Sequence, residues 1–140
     1  MPQNKSLVSE EPSSFILKIQ NDELERRLFV AHSFYVSIKR DWMRGTHMLF
    51  VRKDAFIGSG TIDRIVMLDD LQEEEEKKMC IKNNWYAKII FSKLARFLPT
   101  VPVQDTPAAA QNPLALHGAS ISGPEALQIE ILARAKIIIS

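Results

Sequence analysis

The chain has one cysteine, five glycines and two tryptophans among 140 residues, and each scarcity excludes something. The lone Cys80 cannot close an intrachain disulfide, so the fold needs no oxidising compartment. No apolar run approaches the ~20 residues that a membrane span requires. The opening MPQNKSLVSEEPSS lacks the apolar centre of a secretory signal. These absences point to a cytoplasmic protein with a disordered polar tail over 1–14 and a single domain over 15–140. The phosphate-loop fingerprints GxGxxG and GxxxxGKS/T are missing, because Gly58-Ser59-Gly60 lies inside a strand pattern. No GxSxG nucleophile elbow is present. His32, His47 and His117 are scattered, with no HxxxH or CxxC companion, so no metal set is expected. The carboxylates of Asp69–Glu76 read as a helix face rather than a paired acid and base. Neither a catalytic apparatus nor a cofactor is expected.

What is present is an ordinary globular composition, 46% hydrophobic and 25% charged, with a net charge of +1. The charge distribution is more informative than its sum. Lys39, Arg40, Arg44, Arg52 and Lys53 fall close together, while Asp69, Asp70 and Glu73–Glu76 form an acidic run. A local basic patch on a near-neutral protein suits salt-sensitive contact with phosphates, and equally suits a solvated surface of mixed charge.

The spacing predicts a first strand over Phe15–Ile19 and a helix capped by Asn21 or Asp22, with Leu24, Leu28 and Ala31 on its inner face. The centre of the chain reads as a β-hairpin over Met48–Met67. Its first strand, Met48–Val51, is continuously apolar, as when both faces are covered. Lys53-Asp54-Ala55 makes the turn. Gly58 and Gly60 lie two apart on one face and leave it bare, which marks a bend, a close approach, or room for a ligand. A short acidic helix through Met79 has few apolar positions and reads as a solvated excursion outside the core. Trp85–Phe91 alternates as a half-buried strand. Prolines in Phe97–Val103 exclude a central strand position there, and Thr106–Leu116 reads as a loop. A final helix begins at Ser122 or Gly123 with Pro124 and Glu125 in its first turn, and Ile137–Ile139 has the character of a last strand. With strands outnumbering helices and no βαβ alternation, the expected fold is α+β, a small β-barrel of five to six strands with flanking helices.

Phe34, Tyr35, Trp42, Trp85 and Tyr86 stand near polar turns. Flat rings can stack on a base for ~1–3 kcal/mol each, and aromatics are equally the best core fillers.

The order of segments resembles the EVE family of the PUA-like superfamily, which also contains the YTH and ASCH domains. Four stretches carry the resemblance. Phe15–Ile19, Asn21–His32 and Phe34-Tyr35-Val36 are similar to the opening strand, helix and aromatic element of EVE-like proteins. Gly45–Val51 and Phe56–Ile62 are similar to a Gly-Asp strand and its Gly-x-Gly partner. Trp85–Phe91 and Phe97–Val103 are similar to a Trp-Tyr strand leading into a Phe-x-x-Pro-Val element. His117–Glu125 is similar to the small-residue segment that enters the terminal helix. The ASCH signature GxKxxExR is absent, which argues against that branch.

The resemblance implies a PUA-like barrel that binds nucleic acid, RNA or DNA, and takes one base, often a modified one, into an aromatic-lined pocket. Phe34 falls at the pocket aromatic, with Tyr35 as its neighbour and alternative. Trp85 and Tyr86 match the Trp-Tyr pair, and Trp42 matches by proximity alone. Ser120 and Ser122 lie in the pocket-closing segment and can donate hydrogen bonds to a base edge. Arg40, Arg44 and Arg52 are the candidate phosphate contacts. Thr46, Val51 and Ile62 depart from the family pattern. They motivate a second expectation, a small-molecule-binding or protein-interaction module on the same fold.

Overall fold

Helix-capping chemistry at Asn21 works as its sequence implies. In the computed structural model, which describes residues 13–140, the Asn21 side chain accepts from the Leu24 N–H at 2.9 Å. Helix α1 (Asp22–Ala31) follows, with three acids in its first turn and a left-handed His32 at its end. Strand β1 (Ser13–Lys18) precedes it and starts two residues inside the expected tail. The rest of that tail lies outside the described residues. Strand β2 (Ser33–Val36) comes next. The central hairpin is β3 (His47–Arg52) and β4 (Ala55–Met67). Lys53 and Asp54 both have positive φ, 52° and 62°, the backbone of a two-residue type I′ turn.

Where a strand over Trp85–Phe91 and a separate extended segment over Phe97–Val103 were expected, one long strand forms, β5 (Ala87–Pro102). It pairs with β4 along its length, so the expectation that prolines exclude a central position here is corrected. Between the Gly58–Arg96 and Phe56–Val101 pairs, Phe97–Thr100 oppose Ile57 alone. Pro99 sits in this irregularity, where no ladder N–H is required of it. Thr106–Leu116 is a succession of 3-10 turns. Strand β6 (Ser120–Ser122), helix α3 (Gly123–Leu132) and strand β7 (Ala135–Ile139) complete the chain.

The seven strands form one sheet in the order β2-β5-β4-β3-β1-β6, with β7 also on β5. Only β1 and β3 run parallel. The end strands β2 and β6 are not paired with one another, so the expected barrel of five to six strands is corrected to a seven-stranded sheet, an open path of six with β7 branching from β5. A loop bridges the gap instead: the Arg40 guanidinium, just past β2, donates to the Gly118 carbonyl at 3.3 Å.

Alternation along the strands divides the interior. Leu17, Phe34, Met48, Phe50, Ile62 and Ile89 pack with Leu28 and Phe29 of α1. Their strand neighbours Ile16, Leu49, Val51 and Phe56 pack with Ala126 and Ile129 of α3. Covering both faces is why β3 is apolar from Met48 to Val51. The face left bare by the glycines is filled from within. A Cβ on Gly58 would lie 2.4 Å from the Ala95 carbonyl and 2.8 Å from the Phe29 ring. One on Gly60 would meet the Phe91 and Phe50 rings at 3.0 and 3.1 Å. The pair marks close approach, and the Cβ directions hold no room for a ligand.

Helix α2 (Glu74–Lys82) is no solvated excursion. Its Cys80 is buried against Tyr35 and Leu71, with Trp85 packed on the same cluster. Cys80 and the partly buried Met79, together with the paired Glu76, dock it.

Candidate nucleic-acid interface

The proposed pocket aromatics go into packing. Phe34, at 2% exposure, and Trp42, at 7%, belong to the α1-side core. The Trp42 ring meets Phe15 edge-on at 5.9 Å. Its indole N–H is buried and has no acceptor among the described residues. Tyr35 stacks on Trp85, centroids 4.9 Å apart and planes 9° from parallel. The Tyr35 hydroxyl donates to Glu76 at 2.5 Å, and Lys88 pairs with the same carboxylate at 2.6 Å. Burial, reinforced by Glu76, pushes the Tyr35 phenol well above its usual range. Lys88 and Tyr35 hold the Glu76 carboxyl below its usual range despite the opposing burial. The clefts around His47, Gln104, Arg26, Ile131 and Met43 are lined by none of Phe34, Tyr35, Trp42, Trp85 and Tyr86. The expectation that these rings line one cavity is corrected by their packing: Phe34 and Trp42 lie in the α1-side core, while Tyr35 stacks on Trp85 beside Cys80.

The serines divide. Ser122 is the N-cap of α3, accepting from the Glu125 N–H at 3.3 Å, while the Glu125 carboxylate accepts from the Ser122 N–H at 3.1 Å. This capping box occupies the hydroxyl assigned above to a base edge. Ser122→Ala is expected to cost about 1 kcal/mol of stability and leave oligonucleotide binding unchanged. Urea denaturation and a binding titration check the two halves. Ser120 is exposed on β6, opposite Phe15, and shares no cleft with the aromatics.

The arginines divide as well. Arg52 is only 15% exposed at its side chain and pairs with Asp22 at 2.5 Å and Glu25 at 2.6 Å. Glu25 also pairs with Arg96. Arg52 is thus corrected from a phosphate contact to an internal tie between α1 and the hairpin. Arg44 is 84% exposed, with Asp63 at 3.9 Å. Arg40 is exposed and has no acidic partner within ion-pair distance among the described residues.

Around Arg40 a basic face assembles from distant segments. The Arg40 guanidinium uses one N–H on Gly118 and one on the Lys39 carbonyl at 2.8 Å, leaving the rest of its five donors outward. Lys39 extends over the half-buried Tyr86 ring at 5.4 Å. Burial raises the Tyr86 phenol and the nearby Arg40 charge opposes it. His117 accepts the Lys18 N–H at its Nδ1, 2.9 Å away, so the ring proton sits on Nε2. Burial, then the charges of Arg40 and Lys18, hold the imidazole below its usual range and therefore neutral at physiological pH. Lys18 and Lys39 are exposed and, like Arg40, lack acidic partners among the described residues. Lys18 and His117 were not among the sequence candidates. They are 99 residues apart, and no local pattern links them.

Among the described residues no helix is long and apolar enough to cross a membrane, and no group of three or more His, Cys, Asp or Glu is placed to hold a metal. No protein-family profile and no curated protein matches the sequence. Solved structures do match. The chain is similar to the crystal structure of ASCH from Zymomonas mobilis, with a TM-score of 0.61 at 8% identity, over 89% of this chain and 96% of that one. It is similar as well to a serine-to-alanine variant of that protein, TM-score 0.60 at 10% identity, over 89% and 97%. A tyrosine-to-phenylalanine variant gives 0.60 at 9%, over 89% and 100%. The EVE resemblance is not borne out at the level of the family, and the missing GxKxxExR signature does not keep the chain from the ASCH shape. The fold of this chain is ASCH-like.

Proposed function

We propose that this chain is a non-catalytic nucleic-acid-binding module whose contact surface is the basic face around the segment between β2 and β3. The observation that supports this best is the convergence of Lys18, Lys39 and Arg40, three cations without acidic partners among the described residues, beside the ring of Tyr86. Cations held on backbone carbonyls and over an aromatic ring are positioned for phosphates, and the ring is positioned to stack a base. His117 adds a neutral Nε2–H donor. The likeness in fold to ASCH structures agrees with this reading at the level of shape.

Recognition of one base, modified or not, rests on the half-buried ring of Tyr86. Fluorescence anisotropy with labelled single-stranded RNA and DNA tests the proposal. Three phosphate contacts give a salt slope of about −2. Lys39→Ala with Arg40→Ala is expected to weaken binding about tenfold or more and flatten the slope by about 1.4. Tyr86→Ala is expected to weaken it by a similar factor with the slope unchanged. Absence of binding at low salt to every strand, methylated ones included, would sink the proposal.

A further inference from the structure

A separate polar constellation lies at the other end of β1, beneath α3. Ser14, His47, Thr61 and Lys93 are successive register partners across β1, β3, β4 and β5, and directly paired residues share a face of the sheet. Glu130 of α3 reaches this row. His47 Nε2 is 3.2 Å from one Glu130 oxygen, and the Ser59 hydroxyl donates to the other at 3.2 Å. The Ser14 hydroxyl lies 2.8 Å from His47 Nδ1. With Glu130 ionised, the imidazole proton belongs on Nε2 and Ser14 donates to Nδ1. The His47 imidazole and the Ser59 hydroxyl therefore fix one carboxylate oxygen each, with lone pairs to spare, and no Lys or Arg lies within ion-pair distance of the carboxylate among the described residues.

This carboxylate lines a cleft of about 430 Å³ with His47, Ser59, Lys93, Leu94 and Ile137. Lys93 is exposed and stands two strands from His47, roughly 10 Å away by strand spacing. It makes no ion pair with Glu130. The cleft thus offers a preorganised anion and a separate cation, with Ala95, Ala135 and Ile137 as apolar wall. A few convergent polar groups in an apolar cleft of this size are the usual makings of a small-molecule site.

We infer that this cleft binds a small zwitterion with an aliphatic body, of the class of apolar α-amino acids, its ammonium on Glu130 and its carboxylate on Lys93. The ammonium gains charge-assisted hydrogen bonds to oxygens that need no reordering. The aliphatic part lies against Ala95 and Ile137. The inference does not depend on nucleic-acid binding, which involves other residues.

Isothermal titration of the full chain with L-leucine, isoamylamine and isocaproate tests it, because the last two each lack one charge of the first. Leucine is expected to bind about tenfold or more tighter than either. Glu130→Gln should weaken leucine and isoamylamine about tenfold and spare isocaproate. Lys93→Met should weaken leucine and isocaproate and spare isoamylamine. Lys93 is exposed, so its variant keeps the test decisive if Glu130→Gln does not fold. No binding of leucine up to about 10 mM, or variants that shift all three ligands equally, would overturn the inference.

Discussion

Gly58→Ala is expected to destabilise the protein by about 3–5 kcal/mol, read as a fall in the urea midpoint. The added methyl would sit 2.4 Å from the Ala95 carbonyl oxygen and 2.8 Å from the Phe29 ring. A flexible side chain could turn aside, but a carbonyl in the β4–β5 ladder cannot move without opening that ladder. Phe29 is equally held, with Phe50 edge-on at 6.3 Å and the Arg96 guanidinium 4.6 Å from its ring centre. Gly60→Ala meets ring atoms and the Lys93 carbonyl at 3.0–3.1 Å and is expected to cost less, about 1–3 kcal/mol. A loss at Gly58 below about 1 kcal/mol would mean that β4 and β5 do not approach as closely as described.

Glu25→Ala is expected to lower the thermal midpoint by on the order of 5–10 °C. Glu25 is 19% exposed at its side chain and is shared by Arg52 and Arg96. Removing it leaves Arg52 with Asp22, which is 94% exposed, and two guanidiniums face each other with no charge between them. The buried Arg52 Nε already lacks a partner among the described residues, and they offer this arginine no spare acceptor. Breaking such a tie costs more than forming it gains, because the remaining charges stay partly desolvated. Glu25→Gln keeps the shape and one acceptor and should lose less. Oligonucleotide affinity, measured on the folded fraction, is expected to stay unchanged in both variants. A drop matching that of the Lys39/Arg40 variant would return Arg52 to the contact surface.

These two sites show where sequence patterns stop being informative. Gly58 and Gly60 announce a bare strand face, but whether a ring or a ligand fills it depends on Phe29, which lies on a helix some thirty residues earlier. Arg52 reads as one more cation in a basic cluster, and only the packing of α1 on the hairpin turns it inward. The aromatics share this ambiguity. Phe34 and Trp42 are consistent with either a cage or a core, and nothing in their local spacing separates the two. Lys39 and Arg40 could be read as surface cations, but their neighbours His117 and Lys18 come from the far end of the chain and from β1.

By itself the sequence determined the local structure: a helix capped at Asn21 or Asp22, the turn at Lys53-Asp54-Ala55, the apolar run Met48–Val51, the alternation of Trp85–Phe91, and a final helix starting at Ser122 or Gly123. Each depends on residues within a few positions of one another, so short-range sterics and hydrogen bonding decide it. Tertiary structure alone decided that Phe97–Pro102 joins the centre of the sheet, that the path stays open where a barrel was expected, and that α2 docks on Tyr35. It also decided which charges face each other. Burial and ion pairing are set by segments tens of residues apart, and a linear pattern carries no record of which of them meet.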